Sequence, residues 1–217
     1  MIVKQALKRT PRPTMADAVR LILASASAAR KTMLTAAGLN FDCVPAQIDE
    51  AAIKAEMLRE TPNIEASDIA ARLAAEKAMA VSAQFPEALV IGSDQVLALR
   101  NRVFSKAATL GEAKGVLEQL RGRTHELVSG AALAQGGKVL WESIDSAELT
   151  MRNFSDEFLT MYLDHAGDRI LGSVGCYELE GFGLQLFDSV EGDYFTILGM
   201  PLLALLAELR SSGVVMS

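Results

Sequence analysis

Residues 124–151 contain the pattern that most restricts the fold of this chain. Two long runs of strand-forming residues, THELVSGAALA and KVLWESIDSAELTM, lie on either side of the short sequence QGG. Glycine adopts the positive φ angles that a tight hairpin turn requires, so a glycine pair between two such runs is typical of a β-hairpin. The chain is therefore predicted to contain a sheet built around two long antiparallel strands.

The remaining sequence alternates between helix and strand patterns without a repeat. LILAS and FDCVP predict short strands, and strands are also predicted around Asp94. Hydrophobic spacing and capping residues predict five helices, at residues 28–38, 67–85 with Ser67 as N-cap, 109–120 with a capping box from Thr109 to Glu112, 155–165 and 201–213. Alternation of this kind favours an α/β fold with a mixed sheet.

Composition limits the classes of protein and of ligand. The 217 residues are 50% hydrophobic and 22% charged, which is the balance of a folded chain with a substantial core. The formal net charge of -6 argues against a general nucleic-acid-binding surface. A polyanionic ligand would therefore need a local cluster of Lys and Arg. No segment has the length and apolar character of a transmembrane helix.

Cysteine spacing and the N-terminal segment indicate the cellular setting. Cys43 and Cys176 have neither metal-ligand nor redox spacing, and we predict that both are reduced thiols. The basic segment at 1–20 lacks the apolar region and the cleavage site of a secretory signal, so a cytoplasmic location is expected. We predict an N-terminal extension at 1–20 followed by one domain at 21–213.

The sequence ALVIGSDQVLAL, at residues 88–99, places a carboxylate within an apolar segment. A buried carboxylate must recover its lost hydration from a partner, from a metal or through a raised pKa. Asp94 follows a predicted strand, as do Asp49 and Glu50 in QIDE, and oxygen ligands at strand ends suit Mg²⁺ or Mn²⁺ shared with a phosphate. The alternative for the acidic pair is solvation or the capping of a helix.

The sequence LASASAARK predicts a turn between a strand and a helix that carries both hydroxyls and cations. Ser25 and Ser27 lie on the turn, and Arg30 and Lys31 follow in the first helical turn. Backbone N–H groups at a helix N-terminus, hydroxyl groups and two cations together form a cradle for an oxyanion such as phosphate. Small residues before a helix also serve as ordinary caps, so this motif alone leaves both interpretations open.

Lys77 in LAAEKAMA, Lys106 in VFSKAATL and Glu180 in ELEGFG are ambiguous when each is taken alone. Each lysine can bind an anion or remain a solvated surface residue. Glu180 is next to glycines that allow close approach to the backbone. It can therefore accept hydrogen bonds from a purine edge, or it can cap a turn.

Taken in order, these motifs closely resemble those of the Maf family of nucleotide pyrophosphatases. The matching segments extend from about residue 21 to residue 209 and read LILASASAARKTML, QIDE, LAAEKA, VIGSDQVLAL, RGRTHELVSGAAL, EGFG and VEGDYFTILGMPL. The resemblance implies an elongated mixed α/β sheet flanked by helices, similar to inosine triphosphatase, and a homodimer. It also implies hydrolysis of a nucleoside triphosphate between its α and β phosphates, with Mg²⁺ or Mn²⁺, to give the monophosphate and pyrophosphate.

The same resemblance implies roles for individual residues. Asp94 occupies the position of the general base that activates water, and Glu50 and Asp94 are the expected metal ligands. Specificity is expected at Ala29, Gln95 and Glu180. Gln95 and Glu180 resemble the branch that prefers 7-methyl-GTP, whereas the branch for thymidine and uridine triphosphates typically has Thr and Gln there. The residues expected to bind the triphosphate are Ser25, Ser27, Arg30, Lys31, Lys77 and Lys106.

Two segments depart from the family pattern. Ala28 and Ala29 replace the usual proline and the arginine or bulky residue, and the small Ala29 removes a side chain that would shape the base pocket. Ser105 and Ala107 flank Lys106 in place of the usual glycine and proline, which alters the expected path of that loop.

Two other functions stay open at this level. One is a nucleotide-binding regulator of cell division or septum formation with little turnover, and the other is a phosphatase that releases single phosphates. His125 and His165 have no Ser or Cys motif beside them that would form a catalytic triad, so structural roles are predicted for both.

Overall fold

The computed structural model of the chain describes residues 19–100 and 102–216. Apart from Val19 and Arg20, the extension predicted at 1–20 lies outside these residues. The described strands are β1 (Leu21–Leu23), β2 (Asp42–Cys43), β3 (Leu89–Leu99), β4 (Arg102–Phe104), β5 (Thr124–Gln135), β6 (Lys138–Met151) and β7 (Phe187–Glu191). The described α-helices are α1 (Ala28–Ala36), α2 (Glu50–Glu60), α3 (Ala66–Ser82), α4 (Leu110–Leu120), α5 (Asp156–Ala166), α6 (Tyr194–Ile197) and α7 (Leu202–Ser211).

These strands form one mixed sheet of seven strands in the order β2-β1-β3-β5-β6-β7, with β4 also paired to β3. β1 is parallel to β2 and to β3, and the other pairs are antiparallel. The predicted hairpin is β5 and β6, and its turn contains Gly136 and Gly137 at φ 55° and 77°. The expected mixed α/β sheet flanked by helices is therefore confirmed.

Helix α3 lies unusually close to the sheet because two glycines on neighbouring strands make room for it. A Cβ atom on Gly92 of β3 would lie 2.1 Å from the carbonyl oxygen of Ala74, and one on Gly130 of β5 would lie 2.7 Å from that of Ala70. The alanines of α3 are themselves small, so the helix backbone rests almost directly on the strands. Lys77, the lysine of α3, can consequently reach β3.

Apolar side chains cover both faces of the sheet around β3. On one face Leu73 of α3 shares a cluster with Val96, and on the other Leu34 of α1 and Leu205 of α7 share a cluster with Ile91. A third cluster lies around α4 and α5. Burial on both faces explains why β3 reads as one apolar run apart from its polar centre. No helix in the described part of the chain is long and apolar enough to cross a membrane.

Two local expectations are corrected, and one helix had not been predicted. Helix α3 begins at Ala66 with Glu65 as N-cap, so Ser67 is not its cap, because the earlier start buries Ala66. Asp94 does not follow a strand but lies in the middle of β3, since residues 90–98 pair continuously with β5. Helix α2 was not expected, because it buries none of its residues and therefore has little apolar periodicity.

Candidate active site

The candidate site forms where one edge of β3 loses its neighbours. β1 pairs with β3 at residues 89–91 and β4 pairs with it at residues 97–99, so residues 92–96 have no partner strand on this edge within the described chain. A cavity of about 810 Å³ opens there, lined by both Asp94 and Gln95. Consecutive strand residues point to opposite faces, so the open edge gives one ligand access to both side chains.

Lys77 of α3 joins two carboxylates at the floor of this cavity. Its Nζ lies 2.6 Å from Asp94 Oδ1 and 2.9 Å from Glu50 Oε1. Lys77 and Asp94 are only 7% and 5% exposed, whereas Glu50 is partly exposed at the start of α2. Burial acts to raise the pKa of Glu50, but the charge and hydrogen bond of Lys77, with the charges of two further lysines, lower the pKa overall.

Asp94 uses only one of its two carboxylate oxygens in hydrogen bonds with the described residues. Oδ2 is buried and accepts no hydrogen bond from the described residues, although Oδ1 is held by Lys77. An unsatisfied buried acceptor costs about 1–3 kcal/mol, and more when it is charged. The structure therefore keeps one lone-pair site of a buried carboxylate available for a ligand, a water molecule or a metal.

The loop from β1 to α1 forms the anion-binding side of the cavity. Ser27 Oγ accepts the backbone N–H of Arg30 and caps α1, and Ser25 Oγ accepts the N–H of Ser27. Arg30 Nε donates to the carbonyl of Gly199 at 2.9 Å, and its Nη1 donates to Ser25 Oγ at 3.4 Å. Burial lowers the pKa of Arg30, although the charges of Asp94 and Glu50 partly offset that effect. Arg30 is thus a fixed buried cation.

Of three further candidate residues for the site, Lys106 lines the cavity, whereas Lys31 and Asp49 do not. Lys106 lines the cavity, and its pKa is lowered first by partial loss of hydration and then by the neighbouring positive charges. Lys31 is exposed and is not brought to the cavity, because it follows Arg30 by one residue and projects from another side of α1. Asp49 caps α2 by accepting the N–H of Ala52 at 2.9 Å, which was the alternative considered for it.

The opposite side of the cavity is apolar with a few charges. The apolar residues that line the cavity include Leu127, Val174, Tyr177, Leu179 and Ile197. Ala29 and Glu180 line the same cavity, and Glu180 is exposed to it. This division into a cationic side and an apolar side suits a ligand with an anionic tail and a flat ring system.

Sequence reasoning missed several lining residues. Lys54 of α2 and the Arg169–Glu178 ion pair, with Nε and Oε2 3.6 Å apart, also border the cavity. Lys54 could have been found from its spacing, because it lies four residues after Glu50 on the same helix face. Arg169 and Glu178 carried no comparable signal, because Arg169 lies in a short 3₁₀ helix (Gly167–Gly172) and Glu178 lies in an irregular segment after it.

His125 is held in the protein interior, as expected. Its Nε2 lies 2.7 Å from the hydroxyl of Tyr177, and burial lowers its pKa to about 4. The ring is therefore neutral near pH 7, and Tyr177 rather than His125 lines the cavity.

Comparison with known proteins identifies the family. Residues 20–212 match the family model described as Maf-like protein. This chain belongs to the Maf family. A protein of Rhizobium etli named 7-methyl-GTP pyrophosphatase is 48% identical over 90% of this chain and 98% of its own length. A Bradyrhizobium diazoefficiens protein named nucleoside triphosphate pyrophosphatase is 50% identical over 90% of this chain and 95% of its own.

One further relative and one solved structure extend the comparison. A Granulibacter bethesdensis protein, also named nucleoside triphosphate pyrophosphatase, is 48% identical over 88% of this chain and 96% of its own length. The solved structure of a dITP/XTP pyrophosphatase from Mycobacterium abscessus aligns with 90% of this chain and 96% of its own, at 13% identity and a TM-score of 0.35. A similarity that low supports no inference.

Maf-family nucleotide pyrophosphatases are generally metal-dependent. No group of three or more His, Cys, Asp and Glu residues that could hold a metal occurs in the described part of this Maf protein. Mg²⁺ commonly combines one or two carboxylates with waters and substrate phosphates. Asp94, with its free Oδ2, and the partly exposed Glu50 fit that kind of shared site.

Proposed function

We propose that this Maf protein is a nucleoside triphosphate pyrophosphatase, which hydrolyses the bond between the α and β phosphates and releases a nucleoside monophosphate and pyrophosphate. The observation that carries this proposal is the buried Asp94, which lines a cavity together with Arg30 and Lys106 and whose Oδ2 accepts no hydrogen bond from the described residues. The names of close relatives, which cover most of this chain, support the same reaction.

Asp94 acts as the general base in this proposal. Oδ2 accepts a proton from a water molecule whose oxygen attacks the α-phosphorus, while the bond from that phosphorus to the bridging oxygen breaks and its electrons leave with pyrophosphate. Lys77 holds Oδ1 at 2.6 Å, which fixes the carboxylate and leaves Oδ2 without a hydrogen-bond donor from the described residues. Lys77 also offsets part of the repulsion between Asp94 and the triphosphate.

The cations on the other elements bind the triphosphate. Ser25, Ser27 and the N-terminus of α1 supply hydroxyl and N–H donors, and Arg30 and Lys106 supply positive charge for the phosphate oxygens. Glu50 and Asp94 would hold a divalent cation, Mg²⁺ or Mn²⁺, which when bound supplies neutralisation of phosphate charge. Positive charge at the β and γ phosphates favours departure of pyrophosphate. Lys31, which is exposed and does not line the cavity, is left out of this binding site.

The apolar side binds the nucleobase, and we propose a modified purine such as 7-methyl-GTP. The Glu180 carboxylate is acceptor-only and can take the two adjacent donors of a guanine edge. A 7-methylated base is cationic and gains further from that negative charge. The small Ala29 leaves room beside the base. Relatives named 7-methyl-GTP pyrophosphatase, at 46% to 48% identity, support this choice.

A product assay separates this function from the alternatives. Purified protein with Mg²⁺ or Mn²⁺ is incubated with the common nucleoside triphosphates and with 7-methyl-GTP, and pyrophosphate and inorganic phosphate are detected separately. Pyrophosphate without inorganic phosphate is expected, with 7-methyl-GTP the best substrate. Inorganic phosphate alone would indicate a phosphatase, and binding without any product would indicate a nucleotide-binding regulator.

The assembly and setting implied by the Maf resemblance remain predictions. We propose a cytoplasmic homodimer that binds no nucleic acid. The net charge of -6 supports the absence of nucleic-acid binding. Light scattering after size-exclusion chromatography measures the mass of the assembly directly against the 23.2 kDa of one chain.

A further inference from the structure

A row of three polar side chains crosses the sheet on the face opposite Asp94. Gln95 of β3 is the register partner of Ser129 of β5, which is in turn the partner of Asp145 of β6. Paired residues on neighbouring strands share a face of the sheet. Helix α6 lies over this row, and its Thr196 contacts all three residues through hydrogen bonds. The row therefore connects the cavity to an exposed residue of β6.

The amide nitrogen of Gln95 is fully engaged by this arrangement. Nε2 has two hydrogens, and it lies 3.0 Å from the carbonyl oxygens of both Thr196 and Ile197 and 3.2 Å from Ser129 Oγ. These acceptors are within the protein, so neither hydrogen remains for a ligand. The amide oxygen is different, because no donor in the described part of the chain reaches it and it is not enclosed. Gln95 thus offers the cavity an acceptor only.

Further hydrogen bonds fix the groups that accept from Gln95. Ser129 Oγ donates to the carbonyl of Thr196 at 2.8 Å, and Thr196 Oγ1 donates to Asp145 Oδ2 at 2.7 Å. Asp193 caps α6 by accepting the N–H groups of Phe195 and Thr196. A planar amide rotates easily about its last torsion unless its hydrogen bonds fix it. Here two carbonyls and a hydroxyl select one of its two orientations.

We propose that Ser129, Thr196 and Asp145 are positioning residues that hold Gln95 with its amide oxygen toward the nucleobase. With the Glu180 carboxylate, this oxygen makes a base pocket of acceptors, which favours a base edge rich in N–H donors, such as that of guanine, over a base that presents acceptors. The inference rests on the proposed function, because it concerns the base of the same nucleotide. It adds residues outside the cavity that control which base is chosen.

Substrate ranking in Thr196→Val and Asp145→Ala tests the row. Thr196→Val keeps the shape of the side chain and removes its donor, and Asp145 is exposed, so its replacement is compatible with folding. We expect KM for 7-methyl-GTP and GTP to rise about three- to tenfold, the effect of a weakened hydrogen bond, with kcat nearly constant and KM for UTP little changed. Glu142→Ala, an exposed acidic residue of the same strand, serves as the matched control and should change neither value.

A double-mutant cycle separates positioning from general damage to the fold. In a Gln95→Ala background, Thr196→Val should leave the ratio of KM for GTP to KM for UTP unchanged, because the residue on which it acts is gone. A change of the same size in both backgrounds, or an equal loss with every nucleotide, would overturn the proposal. Melting temperatures of all variants are recorded alongside.

Binding measurements distinguish failure of this inference from failure of the proposed function. Calorimetry gives dissociation constants for GTP and UTP without turnover. If the wild type releases no pyrophosphate but the variants still change the ratio of these constants, only the proposed function fails. If the wild type releases pyrophosphate and neither ratio changes in any variant, only the positioning role fails.

Discussion

Replacement of Gly92 by alanine should separate α3 from β3 and disable the site without touching a site residue. The added Cβ would lie 2.1 Å from the carbonyl oxygen of Ala74 and 2.7 Å from the backbone nitrogen of Ala78. Both obstacles are backbone atoms of a helix, so no side-chain rotation relieves the contact. Because carbon and oxygen atoms approach no closer than about 3.3 Å, α3 must retreat by about 1 Å.

That retreat has a cost in stability and a cost in activity. Overpacking of this kind destabilises proteins by about 1–3 kcal/mol, and the backbone contacts place Gly92→Ala at the upper end. The Lys77–Asp94 distance of 2.6 Å would stretch past the limit for a good hydrogen bond, about 3.2 Å. Asp94 would then lose its orientation, and since a positioned general base contributes about 10²–10⁴ to the rate, kcat should fall at least about a hundredfold.

Urea unfolding and pyrophosphate release measure the two effects in the same protein. Gly115→Ala is the matched control, because Gly115 lies in α4 with open space around the position of a Cβ atom. The control should gain about 0.5–1 kcal/mol from the better helix propensity of alanine and keep full activity. If Gly92→Ala has the same stability and turnover as the wild type, the close contact between α3 and β3 does not hold the site together.

Three other substitutions are expected to act separately. Asp94→Asn should fold and bind nucleotide, as measured by calorimetry, but its kcat should fall by a factor of about 10²–10⁴. Asp188→Asn, at an exposed position of β7, is the control. Full activity of Asp94→Asn would show that Asp94 is not the general base. Glu180→Gln should weaken guanine substrates relative to pyrimidine ones in KM, and an unchanged ranking would exclude Glu180 from specificity. The folded pKa of His125, about 4, lies below its ordinary 6.5, so the unfolded chain takes up the proton first as pH falls. Stability should drop by about 1–2 kcal/mol between pH 6.5 and 5 in urea unfolding, and His125→Gln should abolish that drop if the reasoning holds.

Strands and helices that carry a turn, cap or periodicity signal in their own residues could be predicted from the sequence. Elements that form only through contacts with distant segments could not. The hairpin of β5 and β6 follows from a glycine pair between two long runs, and α1, α4 and α5 follow from their caps. Helix α2 buries no residue, and the two-residue strand β2 exists only through its pairing with β1. Such elements are stabilised by tertiary contacts that leave little periodicity in the sequence.

The site was predictable in composition but not in arrangement. Asp94 could be singled out because a carboxylate stands in an apolar run, yet its position in mid-strand depends on pairing with β5, more than thirty residues later in the chain. Likewise, Lys77 has no sequence feature that separates it from a surface lysine. It becomes a buried partner of Asp94 only because Gly92 and Gly130 admit α3, a contact between distant segments.

The alternation of β3 separates the chemistry of the site from the choice of base. Asp94 points toward α3 and Lys77, whereas its neighbour Gln95 points toward α6 and Thr196. A change at position 95 therefore alters the packing of α6 without moving the Lys77–Asp94 pair, since the strand backbone lies between them. The open edge of β3 at 92–96 is what brings both side chains to one ligand. In this arrangement, substitutions in β5, β6 and α6 can change the preference for a base, while the groups that act on the phosphates keep their geometry.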